Sequence, residues 1–143
     1  MTVSTRGRYA LRVMTDLAEH NGENYIPLKD ISARQEISQK YLESIMTDMT
    51  KAGFLDGQHG KGGGYKLKRS PDEITVFEVL QTTEGDMAPI ACLSAAAKPC
   101  ARAAECRTLP MWKKFYEITR DYFGKITIAD LTQTDSNGGN YVI

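Results

Sequence analysis

The stretch SQKYLESIMTDMTKAGFLDGQHGKGGGYKLK, residues 38–68, leaves few folds open. Ser38 is a good helix N-cap. Leu42, Ile45, Met46 and Met49 then recur on one helical face, and Gly53 stands just past the predicted end. Between Gly57 and Gly64, five of eight residues are glycine, flanked by Phe54-Leu55 and Tyr65–Lys68. That composition predicts two short strands around a loose tip. A shorter helix precedes this unit, opened by Pro27, with Leu28 and Ile31 inward and Glu36-Ile37 as a turn. Two short helices, a tight turn and a hairpin form a helix-turn-helix with a wing.

The flanks extend the pattern. Ser4 or Thr5 can cap a first helix carrying Ala10, Val13, Met14, Leu17 and Ala18 at helical spacing, ended by Asn21-Gly22. A fourth helix should start near Thr75. A last long helix is predicted from Thr108 as cap, through Pro110 in its first turn, to Gly124 as stop. Trp112, Phe115, Tyr116, Thr119, Tyr122 and Phe123 form a broad apolar stripe on it, wider than one small domain can cover. ITIADL reads as one more helical turn and DSNGGN as a loose tail. The expected fold is therefore mainly α with a small β-hairpin wing. Residues 1–80 form a winged helix-turn-helix, and residues 81–143 a sensor loop and a long C-terminal dimerisation helix.

A winged helix-turn-helix reads DNA by geometry. The second helix enters the major groove with its N-terminal residues at the base edges. Here those are Ser38, Gln39, Lys40, Tyr41, Glu43 and Ser44. The wing tip carries His59, Gly60 and Lys61, and residues 51–69 hold five Lys or Arg against Asp56 alone. A slim basic hairpin suits a minor groove and its phosphates. A carboxylate in an anionic groove needs a reason. Glu43 either accepts from cytosine N4 and rejects wrong sites, or is ordinary solvated surface. Charge agrees with a DNA-facing half: the chain is neutral overall, but residues 1–70 carry a net of +3 and residues 71–143 a net of −3.

Enzyme readings fail on spacing. Gly62 follows Lys61 where a phosphate loop needs a hydroxyl, and Tyr65 stands where a dinucleotide fingerprint needs its last glycine. No run approaches the ~20 apolar residues of a membrane span. The N-terminal MTVSTRGRYALR lacks an apolar signal core, so a cytoplasmic protein without a membrane partner is expected.

All three cysteines fall between Cys92 and Cys106. An odd number disfavours a closed disulfide framework. Zinc wants four ligands and usually CxxC knuckles, which are missing, and His20 and His59 lie far off. Iron–sulphur clusters take thiolates from loops. A redox-thiol set remains a rival, since Lys98, Arg102 and Arg107 are near enough in sequence to favour thiolate. An accidental grouping is the third reading.

STRGRYALRVMTDLA, IPLKDIS, ISQKYLESIM, KAGFLDGQHGKGGGY, DEITVFEVLQTTEG, TLPMW and ITIADL together resemble the Rrf2 family of bacterial transcription regulators. The resemblance implies a homodimer on a double-stranded DNA operator, with the long helix crossing its partner. It also implies a sensor loop between the fourth and fifth helices. In the iron–sulphur biogenesis branch that loop holds a cluster on three cysteines, matched here by Cys92, Cys100 and Cys106, so an iron–sulphur cluster of the 2Fe–2S type is expected. A cysteine-metabolism branch lacks the triad and responds to a partner enzyme, which makes a cluster-free repressor the alternative. Tyr41, Leu42 and Glu43 match the recognition-helix motif; Gly60, Gly63, Gly64 and Tyr65 match the wing motif. This chain also departs from the family. His59 replaces the usual arginine. The first cysteine spacing is longer than in the best-known branch. Leu109 stands where that branch has a histidine ligand, and Arg8 where another has a carboxylate. Glu105 and Glu84 are the candidate fourth ligands by chemistry and proximity.

Overall fold

A computed structural model describes residues 2–132; the DSNGGN segment lies outside them. Helix α1 spans Thr5–Glu19, and Ser4 rather than Thr5 caps it, its hydroxyl accepting from the Gly7 N–H at 3.0 Å. Helix α2 spans Leu28–Gln35 and α3 spans Gln39–Lys51. Between them Glu36 turns the chain in the left-handed region, with φ of 54°. Ser38 caps α3 as expected, accepting from the Tyr41 N–H at 3.2 Å.

Strands β1 (Leu55–Gln58) and β2 (Gly64–Leu67) pair antiparallel, with Leu55 opposite Leu67 and Gln58 opposite Gly64. Residue 26, far upstream, pairs with the same hairpin: Ile26 and Tyr65 exchange backbone hydrogen bonds of 2.8 and 2.9 Å. Gly64 makes this crossing possible. Its φ is 146°, and a Cβ there would stand 2.1 Å from the Ile26 carbonyl oxygen.

Helix α4 spans Val76–Glu84. Thr75 and Glu78 form a reciprocal cap, with Glu78 accepting from the Thr75 N–H at 3.0 Å and Thr75 Oγ1 accepting from the Glu78 N–H at 3.1 Å. A single 3-10 turn, Ala91–Leu93, follows. Helix α5 then spans Leu109–Lys125 and α6 spans Ile128–Thr132. Gly124 does not stop α5. The helix continues one residue further and ends because Ile126 turns extended and buries its side chain beside Val76, Leu80 and Met87.

Ala10, Val13, Met14 and Leu17 of α1 meet Ile31, Leu42, Ile45, Met46 and Met49 in one core. All are 1% exposed or less. Burying a side chain of this kind contributes about 1.5–3 kcal/mol. Ile128 of α6 joins the same core, so the chain beyond α5 returns to the first helices. Among the described residues the one buried charged side chain is Asp16, 1% exposed, which ties α1 to the end of α2. Its carboxylate accepts from Arg34 at 2.7 and 3.0 Å and from Gln35 at 2.8 Å. Burial alone would raise its pKa. The hydrogen bonds from Arg34 and Gln35 and the charges of Arg34 and His20 outweigh that and hold it below the ordinary carboxylate value.

Helix α5 has no fully buried residue. Tyr116 and Phe123 pack against the cluster around Leu80. The opposite side exposes Met111 (54%), Phe115 (40%), Ile118 (55%) and Tyr122 (38%). The stripe expected from the sequence therefore divides: Tyr116 and Phe123 serve the intramolecular core, while Phe115 and Tyr122 join Met111 and Ile118, which the expected stripe did not include, in an exposed row at spacings of four, three and four residues.

Candidate nucleic-acid interface and cysteine segment

The capped start of α3 is open to solvent. Ser38, Gln39, Lys40, Glu43 and Ser44 are exposed, on the helix whose opposite face carries Leu42, Ile45 and Met46 into the core. Tyr41 differs from the expectation. It is half-buried against the core, and its ring meets Tyr9 edge-on at 5.7 Å between centroids. It has apolar neighbours at the base of the helix, so only part of its ring is available to a ligand.

His59, Gly60 and Lys61 are exposed at the tip of the hairpin. A cleft of about 320 Å³ separates the hairpin from α3, lined by Thr47, Lys51, Gln58, His59 and Tyr65 among others. Thr47 and Lys51 were not singled out from the sequence. They lie one and two turns beyond Glu43, and a helical projection of α3 alone would have placed them on the same outward face.

A second contact was also invisible in local spacing. Arg6 of α1 donates to the Ser44 carbonyl at 3.0 Å and forms an ion pair with Asp48. Arg6, Ser38, Lys40, Tyr41 and Ser44 line one surface cleft beside the start of α3. Arg6 and Asp48 are 42 residues apart, so only the tertiary fold reveals the pair.

Cys92, Cys100 and Cys106 are all exposed and free. Among the described residues, no three His, Cys, Asp or Glu side chains converge in a geometry that could hold a metal ion. The segment is held by turns and by Asp86, which accepts from the N–H groups of Ala88 (2.9 Å) and Ala95 (3.2 Å) and from the Ser94 hydroxyl. Those donors, the hydroxyl foremost, hold the Asp86 carboxyl below its ordinary pKa. Thr108 occupies the cap position of α5 but makes no side-chain cap bond. Its hydroxyl lies 3.5 Å from Cys106 Sγ instead. That hydroxyl, then the N–H groups of Thr108 and Leu109, and the charge of Arg102 hold the Cys106 thiol below its ordinary pKa. The segment therefore presents three accessible sulphurs, one with a lowered pKa, which do not converge in this arrangement. Of the candidate fourth ligands, Glu105 is exposed. Glu84 is engaged elsewhere, accepting from Ser4 through one carboxylate oxygen.

No described helix is long and apolar enough to cross a membrane. Comparison with known proteins points one way. Residues 3–134 match the Rrf2 family model, described as an iron-dependent transcriptional regulator. The chain is 34% identical over 131 residues to the HTH-type transcriptional regulator IscR of Erwinia tasmaniensis, covering 92% of this chain and 78% of that protein. Among solved structures, it superposes on CymR, the global cysteine regulator of B. subtilis, with a TM-score of 0.76 and 29% identity over 94% of this chain and 99% of that one. It superposes on T. potens IscR with a TM-score of 0.71 and 32% identity, over 92% and 85% of the two chains. A winged helix-turn-helix on which α3 and a basic hairpin share one open face, matched over most of its length by regulators of one kind, makes this chain a member of the Rrf2 family of transcriptional regulators.

Proposed function

We propose that this protein is a homodimeric, sequence-specific DNA-binding transcription regulator whose operator affinity is set by an iron–sulphur cluster on Cys92, Cys100 and Cys106. It is not an enzyme. The observation that carries the DNA half is the exposed first turn of α3 beside a basic, glycine-rich hairpin. Gln39, Lys40, Glu43 and Ser44 face the major groove, while His59, Gly60 and Lys61 track the neighbouring backbone. The row Met111, Phe115, Ile118 and Tyr122 supports dimerisation, because an apolar helix face of this length is normally covered. Two copies joined along α5 present two recognition helices to two half-sites.

Cys92, Cys100 and Cys106 would hold the cluster, with Glu105 as a candidate for the remaining position. Bound there, it would supply iron–thiolate bonds that fix a segment otherwise held by turns and by Asp86. The chain's own residues do the rest. Asp86 keeps the segment folded back on itself near Cys92, Thr108 and the start of α5 stabilise the Cys106 thiolate, and α4 connects the segment to the DNA-binding core.

A second reading is favoured by the likeness to the cysteine regulator of B. subtilis and by the Cys106 thiol, whose pKa lies below its ordinary value beside the Thr108 hydroxyl. In it, a cluster-free repressor answers to thiol chemistry or to a partner. Selection of duplexes from a random pool, with metal-free and with anaerobically reconstituted protein, tests the proposal. A palindromic consensus bound differently by the two forms supports it. Equal binding by both forms removes the cluster from the mechanism, and the lack of any consensus removes sequence-specific reading.

A further inference from the structure

Two acidic residues flank Gly85 and hold opposite partners. Glu84, the last residue of α4, accepts from the Ser4 N–H at 2.9 Å and from the Ser4 hydroxyl at 2.7 Å. Asp86, the first anchor of the cysteine segment, accepts from Ala88, Ser94 and Ala95 and so closes the chain around Cys92. Two residues past Ser4, Arg6 leaves α1 toward α3, donating to the Ser44 carbonyl and pairing with Asp48. One turn of α1 therefore touches both the root of the cysteine segment and the recognition helix.

Gly7 permits this approach. A Cβ at Gly7 would stand 2.3 Å from Glu84 Oε1 and 3.1 Å from Thr83 Oγ1. The Gly7 N–H also donates to the same Ser4 hydroxyl that donates to Glu84. Glycine within a helix is disfavoured relative to alanine. At Gly7 it has a packing reason, which is to let the end of α4 rest on α1.

We infer that the first turn of α1 is a positioning strut, with Glu84 and Arg6 at its two ends, that passes the arrangement of the cysteine segment to the recognition helix within one protomer. This rests on reading α3 as the DNA-contacting helix. Coupling needs an element with two arrangements. The Glu84 contact supplies one: a single oxygen of a half-buried carboxylate grips one residue, and rotation of that side chain frees both Ser4 donors. Ser4 and Arg6 share a turn, so displacing one displaces the other.

Amide hydrogen exchange on the full-length, metal-free protein tests the strut without DNA or cluster. Glu84→Ala removes the contact, and Gly7→Ala pushes the same carboxylate away from the other side. Each should raise exchange across the first two turns of α3 about fivefold or more, with α2 unchanged. Arg6→Ala should do the same, and adding Glu84→Ala to it should add little, as expected for residues of one unit. Faster exchange confined to α1 and α4, with α3 unmoved, overturns the inference. A variant that does not fold is replaced by Glu84→Leu, which keeps the bulk but offers no acceptor to Ser4, and is judged by the same peptides. Failure of the DNA reading is recognised separately, as wild-type protein that binds no duplex in a salt-dependent way.

Discussion

Arg34 grips Asp16 with two nitrogens, Nη2 to Oδ1 at 2.7 Å and Nε to Oδ2 at 3.0 Å, and so fastens the end of α2 to α1 at the turn that aims α3. Asp16 is buried while Arg34 is about one-third exposed. Arg34→Ala should destabilise the fold by about 1–3 kcal/mol, the cost of a buried acceptor left short of donors. The same pair sets an acid limit. A carboxyl whose folded pKa lies below its unfolded value contributes stability above the unfolded pKa and loses it as pH falls through the folded one. For Asp16 that window lies at and below about pH 4. Urea titrations from pH 7 to 3 should show Arg34→Ala costing most near neutrality and least at the acid end. A constant difference would mean the pair is not the cause.

Gly64→Ala should destabilise the hairpin, because both its φ and the Ile26 carbonyl exclude a side chain. A cost of about 1–3 kcal/mol is expected from backbone strain of this kind. Thermal melts read the stability. A neutral Gly64→Ala would show that the Ile26–Tyr65 crossing is not fixed.

Much of this fold was legible in the residues. The cap at Ser38, the choice of Ser4 or Thr5 before α1, the start of α4 near Thr75, helical spacing in α1 and α3, and the glycine-rich tip all signal locally, and the structure agrees with them, with Ser4 as the α1 cap. What escaped was tertiary. The pairing of Ile26 with Tyr65, of Arg6 with Asp48 and of Ser4 with Glu84 joins residues with no common period. Gly124 misled because an exposed helix end tolerates glycine, and burial of Ile126 decided the stop. Tyr41 was read as an outward residue because the helical face was assigned by spacing alone. Tyr9, 32 positions earlier, meets the ring edge-on, and the ring is half-buried. The cysteines were legible as a group, but among the described residues they do not converge, and their placement in space is something no spacing encodes.

Lys61→Ala should weaken binding to every duplex by a similar factor and lower the slope of log affinity against log salt by about one. Titrations at several salt concentrations check this. A change in preferred sequence instead would place Lys61 at a base edge. Glu43→Ala should act the other way. Discrimination at one or two base pairs should fall by about 1–3 kcal/mol, while nonspecific affinity holds or rises. An unaltered consensus after selection would mark Glu43 as solvated surface.

Phe115→Asp places a charge in the exposed row of α5. If that row is the seam between two copies, the dimer should weaken by about 2 kcal/mol or more, roughly thirtyfold in dissociation constant, with the monomer still folded because Phe115 lies outside the intramolecular core. Sedimentation across micromolar concentrations reads it. A parent protein that is already monomeric would contradict the assembly.

The most direct measurement is anaerobic reconstitution of the full-length protein with iron and sulphide, followed by visible absorption and operator titration. Wild type should become coloured and change its operator affinity. Cys92→Ala, Cys100→Ala and Cys106→Ala should each stay colourless, remain folded and bind the operator alike, as the metal-free protein does. Metal-free protein that switches with peroxide and returns with a thiol reductant, needing two of the three cysteines and no iron, would contradict the account.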